Sequence, residues 1–459
     1  MKFRRVEPVV AIYCFATFFT FPLMQQYVYY RMLGEESNVS SLIGDNVSQC
    51  KTNESDPVFI HQKEVQKKAS SFSSTLDLSA LIPSLVMTLI LVSYGDHHGR
   101  KASIFLPCIG GLLSVCIYCL TAFFYLPLEM LYLAVILSGL LGSFATFLGG
   151  CFSYITDLTK DDRQKNIHIA LLDMVLGVSS GVAGIASGYF IKQLGFQWSF
   201  LIPALLYLIN IGYIVFFLEE TVQRSEFQQS VLSKKGFLEL FSGVFMLFRN
   251  SSCKKRLVLV LLLLAFMLYL FANFGAVSLF TLYELDAPLC WDSVLIGWGS
   301  AFSTLTFVGS FLGVYLFSRC LKDPYIVFIG MASWVGGIIM AAFSTTTISM
   351  MLVRIPLMFA AMPLPVLRSM MSKVVLEGEQ GALFACIACL ESLTGILTLV
   401  VFNAIYAGTV LWFPGFSFLL SAGLCLLPFG IVWIYLCIGY PERGHVLLIN
   451  DRTGNEEEI

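Results

Sequence analysis

Twelve apolar segments constrain the fold of this chain more than any other feature, because each is about as long as the roughly 20 residues that a helix needs to cross a bilayer. They are residues 6–33, 74–95, 102–124, 128–156, 167–191, 197–218, 256–282, 293–318, 324–345, 348–374, 380–407 and 414–438. Only 13% of the residues are charged, against about 25% in soluble proteins. Backbone groups in lipid must pair within the protein, and these segments are too long for barrel strands. The sequence therefore predicts an all-α polytopic membrane protein with twelve transmembrane helices, numbered helix 1 to helix 12 in this order.

The distribution of Lys and Arg predicts the orientation, because cytosolic loops are enriched in both. The basic residues that fall on one side are Lys2, Arg4, Arg5, Arg100, Lys101, Lys160, Arg163, Lys165, Lys234, Lys235, Lys254, Lys255, Arg256, Arg319, Lys322 and Lys373. The first apolar segment is longer than the about 7–15 residues typical of a signal peptide, so we expect it to remain as helix 1. Both termini are therefore predicted to be cytosolic.

The long loop after helix 1, residues 34–73, supports this orientation. It carries three glycosylation sequons, at Asn38, Asn46 and Asn53, and glycosylation requires a lumenal or extracellular location. Of the 13 cysteines, only Cys50 in this loop and Cys290 between helices 7 and 8 are predicted to face the lumen. Two lone thiols in an oxidising compartment favour a disulfide between them.

The polar segment 221–255 divides the helices into six and six. We expect an N-terminal six-helix bundle over residues 1–220, a cytosolic linker over 221–255, a C-terminal bundle over 256–438 and a cytosolic tail over 439–459. Chains built in this way are typical of transporters with a substrate site at the midplane between the halves.

The loop between helices 2 and 3 reads GDHHGRK, from Gly95 to Lys101. It resembles the D-x-x-G-R-K core of the major facilitator superfamily, although Val92 replaces an earlier glycine of that motif. In that family the Asp and the Arg pair charges between helix ends when the cytosolic side is shut. The resemblance therefore implies a gating role for Asp96 and Arg100.

Longer motifs narrow the resemblance within this superfamily. The segments PLMQQYVYYR, LYELDAPLCWDSVLIGWGSA, LRSMMSKVV and EQGALFACIACLESL, spread over almost the whole chain, are similar to those of solute carrier family 46. The resemblance implies proton-coupled symport of amphipathic organic anions, such as steroid conjugates and bile acids, from the lysosomal lumen to the cytosol. It implies a monomer in a lipid bilayer that needs no cofactor beyond the proton and binds no nucleic acid.

Two positions differ from the folate-transporting member of the family. Asp173 stands where that member has a glutamate, so an acid is kept, whereas Asn273 replaces a functional histidine in helix 7. Loss of the imidazole argues against folate as the substrate and leaves Asn273 as a candidate substrate contact.

Asp173 is the most informative charge in the apolar segments. At 3.6 residues per turn it shares a face of helix 5 with Ser180 and several glycines, of which Gly184 and Gly188 are spaced for close helix packing. Close packing does not explain the carboxylate, and an ionisable residue within a bilayer helix is by default a functional hypothesis. We predict that Asp173 couples transport to protons.

Helix 10 contributes two arginines, Arg354 and Arg368, which are fourteen residues apart and so roughly 21 Å along a straight helix. Arg368 matches the arginine that the folate member uses for its substrate, which implies that it binds the anion. Arg354 lies in the lumenal third of the helix, where snorkelling or pairing competes with substrate binding as an interpretation. The prolines between them, Pro356, Pro363 and Pro365, should bend the helix and free carbonyl groups that need polar partners.

The remaining site candidates carry weaker signals. Glu391 in helix 11 could pair with an arginine of helix 10 or contact substrate, and Asp157 at the end of helix 4 matches an acid of the folate member. Both are alternative proton-coupling residues. Phe274 and Tyr406 are candidate cavity residues.

Other classes of function fit the sequence less well. The chain has no H-E-x-x-H, G-x-S-x-G or phosphate-loop motif, and its 5 histidines are scattered, so neither an enzyme nor a metal site is predicted. The alternatives that stay open are a folate-type anion transporter of the plasma membrane and a membrane sensor that does not transport.

Overall fold

The computed structural model describes residues 6–36, 57–159, 161–221, 253–285, 289, 291, 293–376, 379–409 and 412–438, and within these ranges it is helical, without strands. In the first half the helices are Glu7–Glu36, Pro57–His98, Lys101–Phe124, Met130–Leu140 with Phe144–Leu158, Asp162–Ser199 and Leu201–Phe217. In the second half they are Cys253–Leu285, Ser293–Ser303 with Leu305–Phe317, Asp323–Ala342, Thr347–Leu352 with Pro363–Val374, Gln380–Thr409 and Phe416–Leu424 with Leu426–Ile438.

These elements are helices 1 to 12 of the predicted series. Ten of them are long and apolar enough to cross a bilayer, and Leu201–Phe217 and Ala301–Phe317 are shorter apolar helices in the places predicted for helices 6 and 8. The prediction of an all-α protein with twelve membrane segments is confirmed. Hydropathy identified the segments because a bilayer imposes both their length and their apolar composition.

The loop predicted over residues 34–73 is shorter than expected, because helix 2 begins at Pro57 and runs to His98. The first turns of helix 2 are polar and precede its apolar stretch. Hydropathy alone therefore predicts a start for this helix that lies too late in the sequence. The three sequons and both cysteines of the predicted disulfide lie outside the described residues, as do most of the linker and the C-terminal tail.

Two glycines with left-handed backbone conformations interrupt helices. Gly142, with φ of 88°, separates the two segments of helix 4, and Gly195, with φ of 74°, breaks Asp162–Ser199 near its end. A side chain would be strained at these φ values, so glycine is favoured at both positions. The break at Gly195 marks the turn from helix 5 into helix 6.

Helix 10 is broken by its prolines, as the sequence predicts. A 3-10 turn, Pro356–Phe359, stands between its two α-helical segments. Side chains of neighbouring helices bind the backbone groups that the break leaves free: Tyr269 donates to the carbonyl of Ala360, and Ser333 donates to that of Pro356. Irregular backbone at this depth is stable because protein groups replace the missing helical hydrogen bonds.

Contacts between the two halves determine where a site between them can lie. Helix 2 and helix 4 pack against helix 11, and helix 5 packs against helix 8 and helix 10. The end of the molecule that carries the loop between helices 2 and 3, the start of helix 5 and the end of helix 10 is called the basic end below, because the Lys- and Arg-rich loops lie there. Helix 10 packs against helix 5 and touches helix 11 near this end.

Candidate functional site

Arg368 lies at the centre of the candidate site, in the C-terminal segment of helix 10, with only 6% of its surface exposed. Its Nη1 donates to Oδ2 of Asp173 at 2.8 Å, and its Nη2 and Nε donate to Oε1 of Glu391 at 2.6 and 3.0 Å. Asp173 belongs to helix 5 of the first half, whereas Glu391 belongs to helix 11 of the second. These three residues, called the ion triad below, join the halves through a single guanidinium group.

The same guanidinium lies over two aromatic rings. The central carbon of Arg368 lies 4.8 Å from the ring centre of Phe152 and 5.3 Å from that of Phe266. Arg368 is therefore held by carboxylates that accept its N–H groups and by two rings, and both kinds of contact stabilise a cation that is removed from water.

The charges of the ion triad do not balance when both acids are ionised. One guanidinium then faces two carboxylates, which leaves one negative charge in excess. A single proton on either acid restores neutrality, as buried ionic groups require. The triad can therefore hold a proton, and it can exchange a carboxylate for another anion.

The face of helix 5 that carries Asp173 is packed near the acid and open further along. A Cβ atom added at Gly177 would collide with Phe307, and one at Gly181 with Thr304, so helix 8 packs closely there. At Gly184 and Gly188 the added atom would meet nothing within 4 Å. The expectation that Gly184 and Gly188 pack against a neighbouring helix is therefore wrong, and the close contact lies two turns nearer to Asp173.

The open space over Gly184, which is itself exposed, lies on the same side of helix 5 as Asp173. Gly184 points within about 20° of Asp173 around helix 5, whereas the exposed Val182 and Ile185 point about 120–180° away. In helix 11, Gly395 lies one turn after Glu391 and also has nothing within 4 Å of an added Cβ. Open space over Gly184 and Gly395, called the unfilled region below, thus lies further from the basic end than the ion triad does.

At the basic end, Arg100 of the GDHHGRK loop is 1% exposed and pairs with Asp157 of helix 4 at 2.8 Å. Its backbone N–H donates to Oε1 of Glu220 at 2.6 Å. The structure thus separates Asp157 from Asp173 and Glu391, with which the sequence grouped it, and places it beside the motif. Asp96 lies in the last turn of helix 2, and its side chain lies outside the described part of the chain.

A second polar cluster at this end joins the two halves. Asn166 of helix 5 donates to Oδ1 of Asp323 at 2.6 Å, and Lys373 of helix 10 donates to Oδ2 of the same carboxylate at 2.6 Å. Asn166, Asp323 and Lys373 form what we call the Asp323 clasp. Sequence reasoning missed it, although Asn166 precedes Asp173 by seven residues and so falls within about 20° of the same face.

Arg354, expected as a substrate contact or a paired charge, forms a buried pair at the opposite end of the second half. Its Nη2 lies 2.5 Å from Oε1 of Glu284, and the rings of Phe280 and Trp291 lie 5.3 and 5.8 Å from its central carbon. The structure therefore supports pairing and does not bring Arg354 to the ion triad. Glu284 escaped notice because it ends helix 7 in a segment that resembled a loop.

The other predicted contacts lie further along the interior. Asn273 follows Phe266 by seven residues on the same face of helix 7 and hydrogen-bonds Tyr269. Phe274 is 41% exposed, and Tyr406 is buried fifteen residues after Glu391, roughly 22 Å along helix 11. Phe152 and Phe266, which do contact Arg368, were not predicted. Among the described residues no cluster of three His, Cys, Asp or Glu side chains is arranged to hold a metal.

Comparison with known proteins identifies relatives over the full length of the chain. Residues 8–288 match the family model of the Major Facilitator Superfamily. The chain is 52% identical to the lysosomal proton-coupled steroid conjugate and bile acid symporter SLC46A3 of Gallus gallus, covering 100% of this chain and 99% of the relative. It is 45% identical to the human protein of the same name, over 99% of both chains. It is 30% identical to the proton-coupled folate transporter of Rattus norvegicus, over 92% of this chain and 90% of that one.

Solved structures share the fold at low sequence identity. The human organic anion transporter MFSD10 aligns with a TM-score of 0.71 at 15% identity, covering 94% of this chain and 99% of that one. The transporter FucP in its outward conformation aligns with a TM-score of 0.65 at 12% identity, covering 95% and 99%.

Proposed function

Because the chain belongs to solute carrier family 46 of the major facilitator superfamily, a family of transporters and not of enzymes, we propose that it is a proton-coupled symporter of steroid conjugates and bile acids. The cargo moves from the lysosomal lumen to the cytosol by alternating access. The substrate class and the compartment are those in the names of the SLC46A3 relatives.

The observation that carries this proposal is the ion triad. Arg368 is the buried cation at the boundary between the halves, and it binds one acid from each half. A transporter that exposes its site to each side in turn must separate the halves near this point. The partners of Arg368 therefore have to change during transport, which is the property that a coupling site needs.

Arg368 recognises the anionic group of the substrate. A guanidinium presents a planar fork of N–H donors that fits carboxylate and sulfate, the groups that bile acids and sulfated steroids carry. An incoming anion competes with Asp173 and Glu391 for these donors. It displaces Asp173 more readily, because Glu391 accepts two of the three hydrogen bonds and belongs to the same half as Arg368.

Displacement of Asp173 links the anion to the proton. A buried carboxylate that has lost its cation is unstable as an anion and takes up a proton, which the acidic lumen supplies. The loaded site then contains Arg368 paired with substrate and Glu391, together with a neutral Asp173, so it carries the same single excess negative charge as the empty site with both acids ionised. Because such a coupling is reciprocal, protonation of Asp173 strengthens anion binding by the same factor by which the bound anion strengthens proton binding.

The apolar body of the substrate occupies the unfilled region beyond the triad. Gly184 of helix 5 and Gly395 of helix 11 line it without projecting a side chain, which leaves room for a rigid fused-ring skeleton. Asn273 lies on the adjoining face of helix 7 and offers polar groups to the substrate. Arg368 holds the charged end of the molecule near the basic end.

The orientation of the site follows the predicted topology. We place the basic end and both termini in the cytosol and the unfilled region towards the lumen, and we propose a monomer with no cofactor beyond the proton. In this arrangement the Asp323 clasp holds the cytosolic side shut while the lumenal side admits substrate. The sequons at Asn38, Asn46 and Asn53 then lie where glycosylation takes place.

Uptake into proteoliposomes tests the proposal. Purified protein should accumulate a radiolabelled sulfated steroid and a bile acid when the outside is acidic and the inside neutral, and it should accumulate neither after the gradient is collapsed with a protonophore. Folate serves as the competing substrate, and Arg368→Gln serves as the inactive control. Accumulation of folate but not of steroid conjugates would assign the chain to the folate-type function instead.

A further inference from the structure

We propose that Phe152 is a positioning residue for transport: its ring stabilises the Arg368 cation and makes closure of the basic end depend on it. Phe152 does not bind substrate in this proposal and acts through Arg368. The inference rests on the proposed function only in treating Arg368 as the residue whose partners change during the cycle.

Phe152 connects three elements at the boundary between the halves. It belongs to helix 4 of the first half, it is 3% exposed, and its ring lies over Arg368 of helix 10 in the second half. The same ring stacks on Phe384 of helix 11, with ring centres 5.9 Å apart and planes 26° apart. One side chain therefore contacts both the charged site and the packed interface at the basic end.

The backbone beside Phe152 is also closely packed against helix 11. A Cβ atom added at Gly149, one turn earlier in helix 4, would lie 3.5 Å from the carbonyl oxygen of Phe384 and 3.2 Å from Val92. Five residues after Phe152, Asp157 pairs with Arg100. Helix 4 thus carries the ring at the ion triad and the acid that pairs with Arg100 of the GDHHGRK loop on one continuous segment.

The two rings over Arg368 belong to different halves, which separates their roles. Phe266 lies on helix 7, in the same half as Arg368 and Glu391, so this ring can accompany Arg368 when the halves move. Phe152 and Asp173 belong to the other half, so they must leave Arg368 when the basic end opens. Substrate takes the place of the Asp173 carboxylate at the N–H donors of Arg368, but it does not take the place of the Phe152 ring.

Phe152 therefore affects opening of the basic end and not the binding of substrate. Its attraction to Arg368 stabilises the state that is closed at the basic end both before and after Asp173 has been displaced by substrate. Loss of the contact with the ring should therefore favour opening at this end by about 3- to 30-fold, which spans the range from an exposed to a desolvated cation–π contact. Affinity for the anion should change little, because the donors of Arg368 remain.

The test compares Phe152 with Phe147, a fully buried phenylalanine of the same helix segment that stacks on Tyr13 and not on a cation. Mono-, di- and trifluorophenylalanine are incorporated at each position, because fluorine removes negative charge from the ring face while nearly preserving its size. Hydrogen–deuterium exchange of helix 4 and the start of helix 11 reports opening of the basic end without any substrate. Proton-driven uptake of a sulfated steroid reports turnover.

Exchange at the basic end should rise stepwise with each fluorine at position 152 and stay constant in the series at position 147. Phe152→Leu should resemble the trifluoro variant, and Phe152→Trp should restore protection. A flat series at position 152, or equal effects at both positions, would overturn the proposal. If the wild-type protein moves no steroid conjugate but the exchange series still rises, the substrate assignment fails and the role of Phe152 stands.

Discussion

Arg368 and Asp173 form an ion pair of 2.8 Å that spans the two halves of the chain, so any movement that separates the halves at this depth breaks it. Removing one partner from a buried pair costs about 3–5 kcal/mol. Opening of the empty, unprotonated site would leave Asp173 without its cation, while Arg368 would keep Glu391 as its remaining acid. Substrate on Arg368 and a proton on Asp173 together remove this cost, so the pair opposes the uncoupled movement of either cargo.

Substitution of Arg368 by lysine should impair transport although it keeps the charge. A lysine ammonium lacks the planar fork, so it cannot replace the three hydrogen bonds to Asp173 and Glu391. We expect Arg368→Lys to lower the affinity for a sulfated steroid at least 10-fold, which is about 1.4 kcal/mol. Competition binding to purified protein measures this. An unchanged affinity, or equal affinity of the native protein for neutral and anionic analogues, would contradict the role of Arg368.

Disruption of the pair between Arg100 and Asp157 should alter turnover and leave binding nearly intact. Both residues lie at the basic end, away from the unfilled region beyond the ion triad. Asp157→Asn should therefore slow uptake several-fold while the affinity for substrate changes by less than about threefold. A double variant in which the charges are swapped, Arg100→Asp with Asp157→Arg, should restore part of the rate. The same series tests the alternative that Asp157 couples protons, since loss of all gradient-driven accumulation in Asp157→Asn would support it.

Loss of the Asp323 clasp should favour opening at the basic end. Asp323→Asn weakens charge-assisted hydrogen bonds to Lys373 and Asn166, each worth about 1.5–3 kcal/mol. Hydrogen–deuterium exchange at the starts of helices 5 and 9 should become faster. Glu379→Gln provides the matched control, because Glu379 pairs with Lys255 at the same end but within one half. Equal acceleration in both variants would show that the clasp has no special part in closure.

Cys50 and Cys290 are predicted to form a disulfide, although both lie outside the described residues. Trp291, next to Cys290, is 3% exposed, and its indole donates to Thr347 while its backbone N–H donates to the carbonyl of Glu284. The loop between helices 7 and 8 is therefore held at Trp291. Peptide mapping without reduction should recover the two cysteine peptides joined. Recovery of both thiols free from folded protein would refute the pairing.

The parts of this structure that the sequence predicts are those set by the bilayer. Twelve segments were recognisable because lipid requires long apolar helices, and Asp173, Arg368 and Glu391 were recognisable because charges in such helices are rare. The choice of partners was harder to predict. Asp157 was grouped with the coupling acids, yet it pairs with Arg100, because its depth in the bundle depends on how helix 4 packs beside the motif.

Small and apolar side chains were the least informative residues for predicting contacts around the site from the sequence. Glycines line both close helix contacts and open space, so the spacing of Gly184 and Gly188 could not distinguish the two, and the contacts turned out to be at Gly177 and Gly181. Phe152 and Phe266 were hidden among 40 phenylalanines. Glu284 and Asp323 stand at the ends of helices, where an acid is common for local reasons, and only the folded arrangement reveals that Arg354 and Lys373 reach them.

Proteoliposome transport by Asp173→Asn in two modes tests whether Asp173 couples transport to protons. Asparagine approximates the neutral, protonated acid, so exchange of labelled for unlabelled sulfated steroid at equal concentrations should continue. Accumulation driven by an inward proton gradient should be lost, and the rate should no longer vary with pH. If Asp173→Asn still concentrates substrate along the proton gradient, the coupling acid is another residue and Glu391 becomes the next to test.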